Sequence, residues 1–149
     1  MPMFKKAQSQ SAAGPSDDEI REYKLERVKG LAERFTYDLG LLIAGHDVNF
    51  EEYLDPAAAQ RLRESIEPFL ASGDAMRPNF GDYGELRIEG YLLSNLHDIH
   101  AYVEFDDQSV RETMSGELIP TPRKRMLLSL VIDPTASAIR DYKLQPAGS

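Results

Sequence analysis

Ile99-His100-Ala101-Tyr102-Val103-Glu104-Phe105 is the stretch that decides how this chain is read. Apolar residues at 99, 101, 103 and 105 alternate with His100, Tyr102 and Glu104. Successive side chains of a strand point to opposite faces, so a two-residue period describes a strand with one covered and one open face. The apolar set should cover the core; His100, Tyr102 and Glu104 should face away. Upstream, Leu86, Ile88 and Leu92 alternate with Arg87 and Glu89, and a turn near 95–98 joins the two runs. Downstream, 106–108 reads as a turn or bulge and 110–114 and 117–119 as weaker strand material. Pro120 and Pro122 suit an edge, because proline cannot donate to a ladder. Residues 126–132 read as a strand buried on both faces or nearly so, and 138–144 as a last strand after a turn at 133–137.

Before residue 86 the period is that of a helix. Leu25, Val28, Ala32, Phe35, Leu39 and Leu42 recur at spacings of three and four, which places them on one helical stripe. Ser16-Asp17-Asp18-Glu19 fits a capping box with acidic residues near the positive end of the helix dipole. Gly45 is a stop signal. The predicted helix covers 17–44, about 40 Å at 1.5 Å per residue. Asp55-Pro56 opens a second helix, with Asp as N-cap and proline at the first helical position. That helix runs to 71 with Leu62, Ile66 and Phe69 on its apolar face. Residues 72–85, rich in glycine, read as a connection. Helices followed by consecutive strands predict an α+β fold, with the N-terminal helices packed on a curved antiparallel sheet of four to five strands. The expected core is Phe35, Leu39, Leu62, Ile66, Val103, Phe105, Leu128, Leu130 and Val131. Residues 1–15 read as a flexible tail, 16–146 as one domain and 147–149 as a flexible end.

The chain has 149 residues, a formal charge of −8 and no cysteine. The missing thiols exclude disulfides, thiolate zinc sites, iron–sulfur clusters and cysteine nucleophiles. Residues 17–74 hold 14 acidic and 7 basic side chains, so the helical half carries nearly all the excess charge. Arg123-Lys124-Arg125 is the one dense basic run, and nucleic acid is not an expected partner. Those three charges flank an apolar strand and read as guards against aggregation. No apolar run approaches the ~20 residues that span a bilayer, so direct membrane insertion is not expected. A cytoplasmic location is.

The long helix through Leu31-Ala32-Glu33-Arg34-Phe35, the short one opened by Leu54-Asp55-Pro56-Ala57-Ala58-Ala59-Gln60-Arg61-Leu62, and the strands at 99–105, 126–132 and 138–144 together resemble the NTF2-like superfamily. The closest likeness is to its Tim44-like and VirB8-like branches. The resemblance is one of topology over 17–145 and rests on no diagnostic residue. It implies a cone formed by a curved sheet over helices. The superfamily hosts isomerases, dehydratases, transport factors and secretion-system scaffolds, so the fold does not fix the function. The two prolines in 115–125 depart from the long strand the family often places there.

Three constellations carry candidate chemistry. His97 and His100 are three residues apart, a metal-gripping distance on a helix. On a strand that spacing points the pair to opposite faces, so no metal site is expected. Asp38 and His46 are the candidate acid–base pair for an enzyme of the cone-pocket type. Asp38 lies beside the apolar stripe, facing either solvent or a cavity rim. Tyr91, His100, Tyr102, Glu104 and Tyr142 form the candidate interface set. Tyrosine buries a large area while keeping a polar handle, although a scattered polar face and a ligand pocket remain alternatives. No phosphate-binding glycine loop or nucleophile elbow occurs. The sequence therefore predicts a non-enzymatic assembly or adaptor domain, without cofactor, that binds a protein partner or itself as a homodimer through the outer sheet face. The alternative is a small cofactor-free isomerase or dehydratase with a pocket inside the cone.

Overall fold

A computed structural model describes residues 14–90 and 98–148. Helix α1 spans Asp17–Ile43 and helix α2 spans Pro56–Ala71, with a 3-10 turn at Phe50–Glu52 between them. Among the described residues eight strands follow: β1 Ala75–Arg77, β2 Phe80–Gly81, β3 Arg87–Glu89, β4 Ile99–Asp107, β5 Val110–Glu112, β6 Leu118–Pro120, β7 Lys124–Asp133 and β8 Ala138–Pro146. All strand pairs are antiparallel. β2, β4, β7 and β8 lie side by side with β3 also on β4, and β1, β5 and β6 form a second, three-stranded sheet. The fold class is α+β.

The caps act as the sequence predicts. Ser16 accepts from the Glu19 N–H at 3.2 Å, and Glu19 accepts from the Ser16 N–H at 3.0 Å. Gly45 has φ 94°, the left-handed turn that ends α1. Asp55 accepts from the amides of Ala57 and Ala58. Gly40 has a packing reason: a Cβ there would stand 3.3 Å from the Pro78 side chain, so its absence lets α1 lie close against the β1–β2 link.

The region 72–85 is not merely a connection. It contains β1 and β2, whose pairing with β5 and β4 keeps one register across the gap: Arg77 faces Val110 and Phe80 faces Asp107. At the gap Gln108 donates to the Asn79 carbonyl, and the buried Ser109 hydroxyl accepts from the Asn79 N–H, in place of a regular rung. Between β6 and β7, residues 121–123 oppose only 108 and 109, one residue too many for a straight ladder. Pro122 lies in that bulge and Pro120 on the edge strand β6, as proline requires.

The core lies between the helices and the inner face of β4, β7 and β8. Phe35 is fully buried, with ring centroids 6.1 Å from Phe50 and 5.5 Å from Tyr142. Val28, Leu39, Leu62, Ile99, Ala101, Val103, Phe105, Leu128, Leu130, Ile132 and Ile139 complete most of it. Two expected core residues, Ile66 and Val131, are only half-buried. β7 is not covered on both faces: Leu128, Leu130 and Ile132 are buried, but Leu127, Ser129 and Val131 between them are half-exposed. No helix of the described residues is long and apolar enough to cross a membrane.

Candidate functional site

The register of the five-stranded sheet draws its outer face row by row. Glu89, His100, Val131 and Asp141 lie side by side in one row; Arg87, Tyr102, Ser129 and Lys143 form the next; Glu104, Leu127 and Gln145 form a third. His100 is exposed, and Tyr102 and Glu104 are half-exposed, on the face opposite Ile99, Ala101, Val103 and Phe105. The Arg87 guanidinium lies 5.1 Å over the Tyr102 ring. Burial first, then a hydrogen bond with Glu89, raises the Tyr102 phenol above its ordinary pKa. Further along, Arg125 binds Asp106 and Glu104 at 3.1 and 3.3 Å, and Arg123 also grips Asp106. Arg123 first and Arg125 second hold the Asp106 carboxyl below its ordinary range. The basic run therefore has partners on its own surface at two of its three positions.

Tyr142 does not join this set. It pairs with Leu130 on the inner side, with its ring against Phe35 and the Arg61 guanidinium 4.6 Å from its ring centroid. The cause is a bulge: Val131 faces Asp141 but Ile132 faces Ile139, leaving Arg140 as an extra residue. One extra residue reverses the alternation, so Ile139 and Tyr142 both point inward despite their opposite parity. Arg140 is anchored there by Asp98 and Asp133 at 3.0 and 2.7 Å. Tyr91 and His97 lie outside the described residues. Among the described residues no three His, Asp or Glu side chains are grouped to hold a metal ion.

The acid–base candidates are placed apart. Asp38 is 8% exposed and accepts a 2.8 Å hydrogen bond from the Tyr53 hydroxyl, with Arg34 Nε at 3.7 Å. The Arg34 guanidinium covers the Tyr53 ring at 4.4 Å and also binds Glu52. Burial and the Asp38 hydrogen bond push the Tyr53 phenol far above its ordinary pKa, so it remains a donor. This arrangement ties α1 to the 3-10 turn and commits the Asp38 carboxylate to Tyr53. His46 is exposed and lines an open groove with Leu42, Val48, Arg63, Glu67 and Leu70, which Asp38 does not line. Residue spacing hinted that Asp38 sat at the edge of the stripe. Its partner Tyr53 lies on a separate element and carries no local signal.

The described hollows include one that the sequence reading missed. It is a cleft of about 630 Å³ between α1 and residues 83–86, lined by Ala32, Thr36, Tyr37, Tyr83, Leu86 and Val103. Its lining comes from distant segments joined only by folding, and no motif announces it. No protein-family model matches the chain, and no curated protein is significantly similar to it.

Proposed function

We propose that this chain is an NTF2-like assembly domain that pairs with a second copy of itself through the outer face of its five-stranded sheet. The observation that carries the reading is the pattern of that face. Tyr102, Leu127 and Val131 give it a half-exposed apolar centre, and Glu89, Arg87 and Lys143 give it a charged rim, joined at the β8 edge by Asp141, whose carboxylate is also held by Arg61 of α2 at 2.7 Å. An apolar centre within a polar rim is the usual anatomy of an interface. The rim also has a sign pattern. Acids occupy both ends of one row and bases both ends of the next. A two-fold axis running across the strands between these rows would set Glu89 over Arg87 of the second copy and Asp141 over Lys143. An axis along the strands would instead bring Glu89 against Asp141. Charge complementarity therefore favours the first arrangement, which is isologous as a two-fold contact must be.

The inner face supports a binding role over the isomerase or dehydratase alternative. The space under the sheet centre is filled by Phe35, Phe50, Phe105, Leu128, Leu130 and Tyr142. The one buried carboxylate on α1, Asp38, is bonded to Tyr53. The test is analytical ultracentrifugation at micromolar concentration. The wild type should sediment as a dimer, and Tyr102→Glu and Val131→Glu as monomers. A monomeric wild type would overturn the reading, and a dimer untouched by either substitution would move the interface off this face.

A further inference from the structure

The cleft beside α1 exists because the edge of the sheet carries too many residues. Gly81 faces Asp106 and Arg87 faces Tyr102, so five edge residues, 82–86, stand against only three of β4, 103–105. The surplus lifts the edge away from β4 as a strap. Asp82 turns it with φ 49°, a left-handed conformation that aspartate tolerates better than most residues. Two contacts tie it down: the Gly84 N–H donates to the Glu104 carbonyl at 2.8 Å, and Arg125 reaches from the outer face to the Asp82 carbonyl at 2.6 Å. The lifted edge opens a side entrance onto Val103, on the inner face of β4. This entrance is separate from the filled space around Phe35.

We infer that this side cleft binds a small, planar, uncharged molecule that is mostly apolar and carries one hydrogen-bonding group. Ala32, Leu86 and Val103 provide an apolar floor and walls. Tyr37 on the helix and Tyr83 on the strap stand at 69% and 51% exposure, two large aromatic side chains lining one opening. Aromatic faces suit a flat ring system. The Tyr83 phenol supplies the polar contact, since the Thr36 hydroxyl donates to the Ala32 and Glu33 carbonyls of its own helix. The charged lining groups, Lys29 and Glu33, have opposite signs and lie one helical turn apart, so the cleft has no net preference for an ion. A volume of about 630 Å³ falls within the roughly 300–1,000 Å³ of small-molecule sites. The inference is independent of self-association, because the cleft and the outer face lie on opposite sides of β4.

The probe is 2-naphthol, neutral, flat and fluorescent, titrated with the full chain and compared with 2-naphthalenesulfonate. Saturable one-to-one binding of 2-naphthol is expected, weakened roughly 3- to 10-fold in Tyr37→Ala and in Tyr83→Ala. Tyr102→Glu should bind as the wild type does, whether or not it dimerises. Tyr83→Ala loses a ring contact with Phe105, so a urea midpoint is measured for each variant. The exposed Tyr37 keeps the test valid if the other variant unfolds. Absence of saturable binding, or equal affinity in wild type and Tyr37→Ala, would overturn the site. Tighter binding of the sulfonate would overturn the uncharged class.

Discussion

The two faces of β4 and β7 belong to the same strands and obey different rules. On the inner face, Ile99, Phe105, Leu128 and Ile132 are almost inaccessible to water. There the stabilising term is apolar area removed from water, and close packing leaves little tolerance for a change of volume. On the outer face, His100, Tyr102, Glu104, Ser129 and Val131 keep contact with solvent and interact mainly sideways. Arg87 on Tyr102 and Arg125 on Glu104 and Asp106 are ties across strands, not contacts between layers. Shape therefore limits substitution on one side and charge pattern on the other. The fold depends on the first face, while the second keeps its side chains in contact with solvent.

That contrast can be broken by measurement, and the inner face should give the largest effects. Phe35→Ala removes a ring packed between Phe50 and Tyr142 and should cost about 3–5 kcal/mol in chemical denaturation. A loss below about 1 kcal/mol would mean the site collapses around the gap and the inner face is less tightly packed than it looks. Asp38→Ala should come next. It leaves the Tyr53 hydroxyl, on a residue only 4% exposed, without its acceptor, at a cost of about 1–3 kcal/mol. Restoring most of that loss with Tyr53→Phe in the same chain would identify the orphaned hydroxyl as the cause.

The outer face should respond in association and barely in stability. Tyr102→Glu should change the unfolding free energy by only about 0.5 kcal/mol while abolishing the dimer. A large loss of monomer stability would show that Tyr102 supports the fold itself. Lys143→Glu should weaken the dimer roughly 2- to 5-fold, as expected for a rim charge. Adding Asp141→Lys, which also gives up the ion pair with Arg61, should recover part of the affinity if the two-fold runs across the strands. No recovery would favour another axis.

The smallest effect concerns acid. Asp106, held low by Arg123 and Arg125, and Asp133, held low first by the Ala136 amide and then by Arg140, have folded pKa values below their unfolded ones. Such groups contribute stability above the unfolded value of about 3.9, and that contribution is lost as pH falls through the folded value. Unfolding midpoints should therefore be flat from neutral pH to about 5 and decline below about 4. Asp106→Asn should make the decline shallower; an unchanged acid limb would show that its two arginine contacts contribute nothing to it.

Local chemistry made α1, α2 and β4 legible. Ser16 with Glu19, Asp55 with Pro56, and the alternation from Ile99 to Phe105 each act within a few residues, and the structure places those elements where the sequence does. The strands β1 and β2 were illegible for the opposite reason. Ala75–Arg77 and Phe80–Gly81 are too short to show a period, and they are strands only because β5 and β4 supply partners some thirty residues away. The Tyr53 hydroxyl is satisfied in the core because Asp38, 15 positions earlier, accepts its hydrogen bond. Tyr142 changes face because Arg140 is an extra residue in a ladder whose other strand ends at Asp133. Periodicity assigns a residue to one of two faces only while the register is unbroken, and a bulge reverses that assignment without altering the local pattern. By itself, then, the sequence determined the α+β class, the helix ends and the open face of β4, since caps and alternation are local. The inward turn of Tyr142, the pairing of Asp38 with Tyr53 and the cleft beneath the 82–86 strap were decided by tertiary structure, because each depends on the register between segments far apart in the chain.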